Sequence, residues 1–263
     1  MAKVSIIMGV FNGANKVEKS VRSLLCQTFT DFELIICDDG STDNTYDILC
    51  NLKRLDKRII IIKNKVNKQL AYTLNKCIEI STGTYIARMD DDDYSHPDRL
   101  KKQVDFLDTH KEFALVGTSI NYIDKNGIWG TRIVSGKVSA IDILKGKTFV
   151  HPSVMICSHA LKAVGGYNTS DTVRRTEDLD LWVRLYNKGF LGYNLSDILL
   201  DYYEDSKSTK KRKYKFRICE FNIRRKARKQ FKIPILYFPY VIKPLFTGLF
   251  PNRLIIFIHK NAE

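Results

Sequence analysis

The chain of 263 residues is 44% hydrophobic and 27% charged, which excludes global disorder and allows one large domain, or one domain with an appendage. Its net charge of +14 is unevenly placed. Residues 205–263 hold 16 of the 43 Lys and Arg and only three acids, leaving 27 bases against 26 acids in the rest. A near-neutral body argues against a nucleic-acid-binding protein, and a basic end implies an anionic surface met by that end.

In chain order, residues 4–10 form a short apolar run bounded by Gly9 and Asn12-Gly13, which predicts a buried strand. Val17, Val21, Leu24 and Leu25 recur at helical spacing within 15–27. Residues 32–37 predict a second strand ending at Asp38-Asp39-Gly40-Ser41, with Ser41 or Thr42 placed to cap a helix through Tyr46, Ile48, Leu49 and Leu52. A third strand spans 58–63 with four consecutive isoleucines, a third helix 69–80, and a fourth strand 85–89. Strand–helix alternation of this kind argues for a parallel sheet covered by helices, whose ligands sit beyond the carboxyl ends of the strands. Further on are a helix at 97–109 with Pro97 in its first turn and a strand at 113–120. A turn-rich stretch at 121–136 could form a hairpin, and 149–157 predicts a strand containing His151-Pro152. A loop at 165–168 and a helix at 177–187 that opens with Glu177-Asp178 follow.

The most informative feature is the run Asp90-Asp91-Asp92-Asp93 at the end of the fourth strand. Because side chains alternate along a strand, these carboxylates cannot all turn to one face, and at least two must share a small volume. Such a cluster calls for a cation, a basic partner or open solvent. Mg²⁺ and similar hard ions take oxygen ligands, commonly one or two carboxylates with substrate phosphates. A solvated acidic turn capping the next helix is the plainer alternative. The six cysteines show no metal-ligand spacing and predict free thiols in a reducing compartment. The chain enters strand-like sequence at Val4, so no signal peptide is expected, and no 18-residue apolar run predicts a membrane span.

Six motifs in order resemble the family 2 glycosyltransferases, the inverting group with a GT-A fold, most closely the branch that builds bacterial surface polysaccharides. They are Val4-Ser-Ile-Ile-Met-Gly-Val-Phe-Asn12, Cys37-Asp-Asp-Gly-Ser-Thr-Asp43, Ala87-Arg-Met-Asp-Asp-Asp-Asp93, His151-Pro-Ser-Val-Met155, Gly165-Gly-Tyr-Asn168 and Glu177-Asp-Leu-Asp-Leu-Trp182. The resemblance covers about 3–204 and implies an α/β, Rossmann-like, mostly parallel sheet flanked by helices. It places Asp90 and Asp92 at an Asp-x-Asp position, with Asp92 a direct ligand of Mn²⁺ or Mg²⁺ and Asp90 and Asp93 shared between metal and ribose. It sets Val10, Phe11, Asn12, Asp38, Asp39, Arg88, Asp90 and Asp91 around the nucleotide, with Arg88 either near the diphosphate or facing a helix. Asp178 becomes the general base, and Glu177 and His151 become further active-site candidates. Two departures stand out. Gly9-Val-Phe-Asn12 replaces the usual Pro-Val-Tyr-Asn, and Asn67-Lys68-Gln69 replaces Asn-x-Gly.

The implied partners are a nucleotide-sugar donor, UDP favoured by the family's habits, and a glycan or lipid-linked acceptor. The expected division is a catalytic domain at 1–204 and a basic, apolar, membrane-associating extension at 205–263. An anionic membrane surface would be met through 207–263, by a protein at the inner face of the membrane in the cytoplasm. No nucleic acid is expected. The rival readings are a nucleotidyltransferase on a similar fold, which also uses a metal at a strand end, and a nucleic-acid-binding protein using the basic tail. In 207–232 the bases spread around the whole helical circumference, and 233–250 is broken by Pro234, Pro239 and Pro244. The alternative for this segment is a helix packed on the catalytic domain with a solvated charged face.

Overall fold

The computed structural model describes residues 2–204 and 213–247. The predicted alternation is present: β1 (Val4–Val10), α1 (Val17–Leu25), β2 (Phe32–Asp38), α2 (Thr45–Leu55), β3 (Ile59–Lys63), α3 (Leu70–Ile80) and β4 (Tyr85–Asp90). β5 (Tyr94–Ser95), α4 (Arg99–Thr109), β6 (Phe113–Asp124), β7 (Gly127–Arg132), β8 (Gly136–Val138) and α5 (Ala140–Lys145) follow. The remainder is β9 (Met155–Cys157), α6 (Ser158–Ala163), α7 (Glu177–Asn187), β10 (Leu191–Tyr203), α8 (Tyr214–Gln230) and α9 (Phe238–Thr247). The strands join in the order β3-β2-β1-β4-β9-β6-β10-β5, with β7 on β6 and β8 on β10. β1, β2, β3 and β4 are mutually parallel, as are β6 and β10, while β9 runs antiparallel between β4 and β6.

Helices cover both faces of the first four strands, so their sequences are continuously apolar and do not alternate. Ile6, Ile7, Ile35 and Ile36 are each at most 1% exposed. Burying each such side chain contributes about 1.5–3 kcal/mol. The chain leaves β1 toward β2 on one side and returns in β4 on the other. This is a topological switch point, where the loops diverge and open a crevice. Register brings Val10 opposite Asp38 and Gly9 opposite Asp90, so the three polar strand ends share one rim.

Several elements differ from the sequence expectation for identifiable reasons. The expected strand at 149–157 pairs only over Met155–Cys157. Before it, the chain tightens into a 3₁₀ turn, His151–Ser153, which accommodates a Pro152 that has no N–H to donate to a ladder. The helix expected from 97 begins at Arg99, because Pro97 instead accepts the Thr28 N–H through its carbonyl at 2.9 Å. Ser41 and Thr42 do not cap α2. The Ser41 hydroxyl accepts the Asn12 N–H, and α2 starts at Thr45, whose N–H is taken by Asp43. β10 was not anticipated, since its register shifts interrupt the regular alternation.

The described part of the extension packs on the sheet domain. α8 buries Glu220, Ile223, Arg224 and Ala227, spaced as one helical stripe. Arg224 donates to Glu220 at 2.8 Å, to the Leu144 carbonyl of α5 and to the Tyr240 carbonyl of α9. A charged pair inside the buried stripe is the reason the sequence does not read as amphipathic. No helix among the described residues is long and apolar enough to cross a membrane.

Gln69 ends the turn before α3 with φ +75° and ψ 159°, a conformation that is essentially glycine's own. Asp39 holds it there by accepting the N–H groups of Lys68 at 2.8 Å and Gln69 at 2.9 Å, along with the Asn64 amide at 2.7 Å. Glutamine thus holds a backbone conformation that glycine adopts freely, at the position where the resemblance has the glycine of Asn-x-Gly. Gln69→Gly should raise stability by about 1–2 kcal/mol in urea unfolding, because it relieves backbone strain of that order. A loss of stability would show that this backbone is not strained.

Candidate active site

The rim is assembled by short polar contacts between the loops after β1 and β2. Asn12 lies at φ +52°, which asparagine tolerates, and its side-chain oxygen accepts the Thr42 N–H at 2.9 Å. The Gly13 N–H donates to Thr45 Oγ1 at 2.9 Å. A Cβ at Gly13 would collide with the Asp91 carboxylate, so glycine here lets the acidic loop close on β1.

The four aspartates have different surroundings. Asp90 receives both terminal nitrogens of Arg88, Nη1 at 2.6 Å, and Arg88 is only 3% exposed. The two lie two residues apart on one strand face, which settles the direction of Arg88. Burial pushes the Asp90 carboxyl up and the neighbouring Asp92 adds to it, against the pull of Arg88. Asp91 is pushed up to about 7 by burial and by Asp92 and Asp90. Asp92 meets Lys16 at 3.1 Å, and the Lys16 ammonium also sits 4.2 Å from the Tyr203 ring centre. Asp93 is 1% exposed. Its Oδ1 accepts the Tyr203 N–H at 2.8 Å, while Oδ2 is buried without a hydrogen-bond partner, and burial followed by Asp90 pushes the carboxyl up to about 8. Beneath them lies Arg99, wholly buried, bonded to the Arg88 carbonyl at 2.7 Å and pulled down to about 9 by burial.

Asp90, Asp92 and Asp93 each offer an oxygen within 4.8 Å of the others. Hard oxygen donors, repelling one another and leaving a buried oxygen unpartnered, fit a divalent cation of the Mg²⁺ or Mn²⁺ kind.

Beside the β1 end lies a cavity of about 250 Å³. Val10, Phe11 and Asp39 form one wall, residues 67–73 another, and Asn168, Arg174, Arg175 and Glu177 a third. Asp38 is fully buried behind this wall. Its Oδ1 accepts the Ser41 N–H, and Lys63 approaches Oδ2 at 3.6 Å. Of the four acids expected around the nucleotide, Asp38, Asp39, Asp90 and Asp91, Asp39 alone lines the cavity. Glu177 has a buried, unpartnered Oε2, and burial pushes its carboxyl up. Asp178, next on α7, accepts the Leu179 N–H at 2.8 Å and is not among the lining residues. His151 Nε2 meets the Tyr167 hydroxyl at 2.8 Å, and its ring stands edge-on to Trp182. Burial, then Arg88, holds it well below the ordinary range, so it is neutral. Tyr167 lies within electrostatic reach of Asp178, Asp90 and Glu177. Sequence reasoning passed over Lys16, Arg99, Arg174, Arg175 and Tyr203. Only the adjacent arginines, just ahead of Glu177-Asp178, carried a local signal.

Residues 5–164 match the profile described as "Glycosyl transferase family 2". "Putative glycosyltransferase EpsE" of Bacillus subtilis (strain 168) is 39% identical over 260 residues, 98% of this chain and 94% of EpsE. The Escherichia coli UDP-Glc:alpha-D-GlcNAc-diphosphoundecaprenol beta-1,3-glucosyltransferase WfaP is 33% identical over 85% of this chain and 86% of its own length. Among solved structures, S. aureus TarS 1-349 in complex with UDP-GlcNAc aligns over 94% of this chain and 80% of that one, with a TM-score of 0.69 and 17% identity. The chain belongs to glycosyl transferase family 2, is a glycosyltransferase, and has the GT-A fold.

Asp93 makes the metal-free protein pH-sensitive. Its ordinary value is 3.8 and its folded value about 8, so the fold binds this proton more tightly than the unfolded chain does. The resulting stability is full below about pH 4 and is lost as pH rises toward 8. In chelator, the melting temperature should fall between pH 5 and pH 8. Asp93→Asn keeps an acceptor for the Tyr203 N–H and should flatten that fall; an unchanged slope would contradict the assignment.

Proposed function

We propose that this member of glycosyl transferase family 2 moves a sugar from a nucleoside-diphosphate donor, preferentially a UDP-sugar, to a hydroxyl of a glycan or lipid-linked acceptor, with inversion. The observation that carries this reading is one rim holding a three-carboxylate cluster, a cavity and the Glu177-Asp178 pair.

Val10, Phe11, Asn12 and Asp39 would meet the base and ribose, with Asp91 supporting the loop beside them. Arg174 and Arg175 bring positive charge to the wall of the same cavity. Asp92 would hold Mn²⁺ or Mg²⁺ with Asp90 and Asp93. Such an ion, when bound, acts as a Lewis acid that stabilises charge on the departing diphosphate. Arg88 opposes the effect of burial on Asp90 and orients its carboxylate toward the ion. In the transfer step the acceptor oxygen bonds to the anomeric carbon as the bond from that carbon to the diphosphate oxygen breaks. Asp178 takes the hydroxyl proton. His151, neutral and bonded to Tyr167, would fix Tyr167 within electrostatic reach of Asp178, Asp90 and Glu177.

Residues 1–204 would form the catalytic unit and 205–263 an extension that brings it to the inner face of a membrane. The lipid-linked acceptor in the name of WfaP supports this arrangement. Part of the extension, 205–212 and 248–263, lies outside the described residues.

A screen of nucleotide sugars for metal-dependent hydrolysis tests the reading. Release of a nucleoside diphosphate supports it, whereas release of pyrophosphate from a nucleoside triphosphate would indicate nucleotidyl transfer. Asp178→Asn should keep donor affinity and lower turnover by a factor on the order of 10² to 10⁴. A collapse of donor affinity would place Asp178 in the nucleotide site instead. Asp92→Ala should remove the effect of Mn²⁺ on donor binding measured by calorimetry; an undiminished effect would exclude it as a ligand.

A further inference from the structure

Residues 221–247 contain seven Lys or Arg and no acid. Within them Ile235 and Leu236 are 69% and 80% exposed, on a 3₁₀ turn, Ile235–Tyr237, flanked by Pro234 and followed closely by Pro239. Phe246 on α9 is 55% exposed. At about 100° per residue, Tyr240, Lys243 and Phe246 fall within one third of the α9 circumference, opposite the buried Val241. Single exposed apolar side chains are normal. A group of them rimmed by bases, in a stretch without acids, marks a surface that meets something apolar and anionic together.

We propose that the turn Ile235–Tyr237 and the exposed face of α9 form a wedge that docks in an anionic lipid leaflet. Ile235, Leu236 and Phe246 enter below the headgroups, and Lys232 and Lys243 lie at the phosphates. The described part of α9 holds Pro239 in its first turn and Pro244 inside the helix, a pattern suited to lying in the interface. The two prolines fix the projection of the turn, which limits the ordering that docking requires.

The wedge is also joined to the active site. α8 packs on α9 and on α7, and the Cys219 thiol of α8 donates to the Asp171 carbonyl at 3.7 Å. Asp171 lines the cavity. Docking would therefore hold the cavity at a set height above the lipid, where a lipid-linked acceptor presents its sugar. The docking deepens the membrane reading of 205–263 proposed above, and its consequence for the acceptor rests on the glycosyl-transfer reading as well.

The test is co-sedimentation of the full chain with vesicles of phosphatidylglycerol and phosphatidylcholine, or of phosphatidylcholine alone. The parent should bind the anionic vesicles selectively, and less as salt rises. Ile235→Ser with Leu236→Ser should lower the partition coefficient at least tenfold at every salt concentration. Lys232→Gln with Lys243→Gln should weaken binding and make the salt dependence shallower. Melting temperature and donor hydrolysis without vesicles should be unchanged in both variants, so a failure of docking is distinct from a failure of the glycosyl-transfer reading. The proposal is overturned if the parent ignores anionic vesicles or if the double serine variant binds as tightly as the parent. A parent dimer that this variant dissociates would likewise overturn it, assigning the face to a second copy of the chain.

Discussion

Four carboxylates at the end of a buried strand impose the constraint around which the site is built. Left alone, their repulsion would drive the strand end into solvent. Instead each neighbouring element supplies an answer: Arg88 from the same strand, Arg99 from the start of α4, Lys16 from the start of α1 and the Tyr203 N–H from the end of β10. These answers are incomplete: burial, with the neighbouring carboxylates adding to it, pushes Asp91 and Asp93 up. A fold that keeps such a residue of repulsion gives up stability at that point, as binding and catalytic sites commonly do.

The first half of the fold was legible because its chemistry is repetitive. Continuous aliphatic strands, polar strand ends and helical spacing all point to the same parallel sheet. The second half was legible only in part, because its determinants are tertiary. Pro152 converts an apparent strand into a turn, and β10 changes register along its length. In α8 the buried stripe includes Glu220 and Arg224, charges that pair with each other. The acidic cluster could be found from the sequence, but its division of labour could not. Nothing local distinguishes Asp38, sealed behind the wall, from Asp39 on it, nor reveals that Asp93 has one satisfied oxygen and one orphan.

The cavity's third wall has an unusual dependence. Its residues lie in the segment between the paired glycines at 165–166 and α7, and α8 packs against that segment from outside. Asn75 of α3 fastens the other end by bonding both the N–H and the carbonyl of Tyr167 at 2.8 Å. The geometry around Glu177 thus follows from two distant helices, one in the first half of the chain and one in the extension.

The short antiparallel strand β9 has a consequence of a different kind. It joins β4 on one side and β6 on the other through main-chain hydrogen bonds, which are indifferent to side-chain identity. The family profile ends at residue 164, soon after this strand. β9 therefore couples the sheet's two parallel groups: β4, which carries the acidic rim, is held in register with β6, and through β6 with β10 from the far end of the domain. A shift of either group against the other would break both of the ladders that β9 makes, so the position of the rim depends on chain that lies on both sides of residue 164.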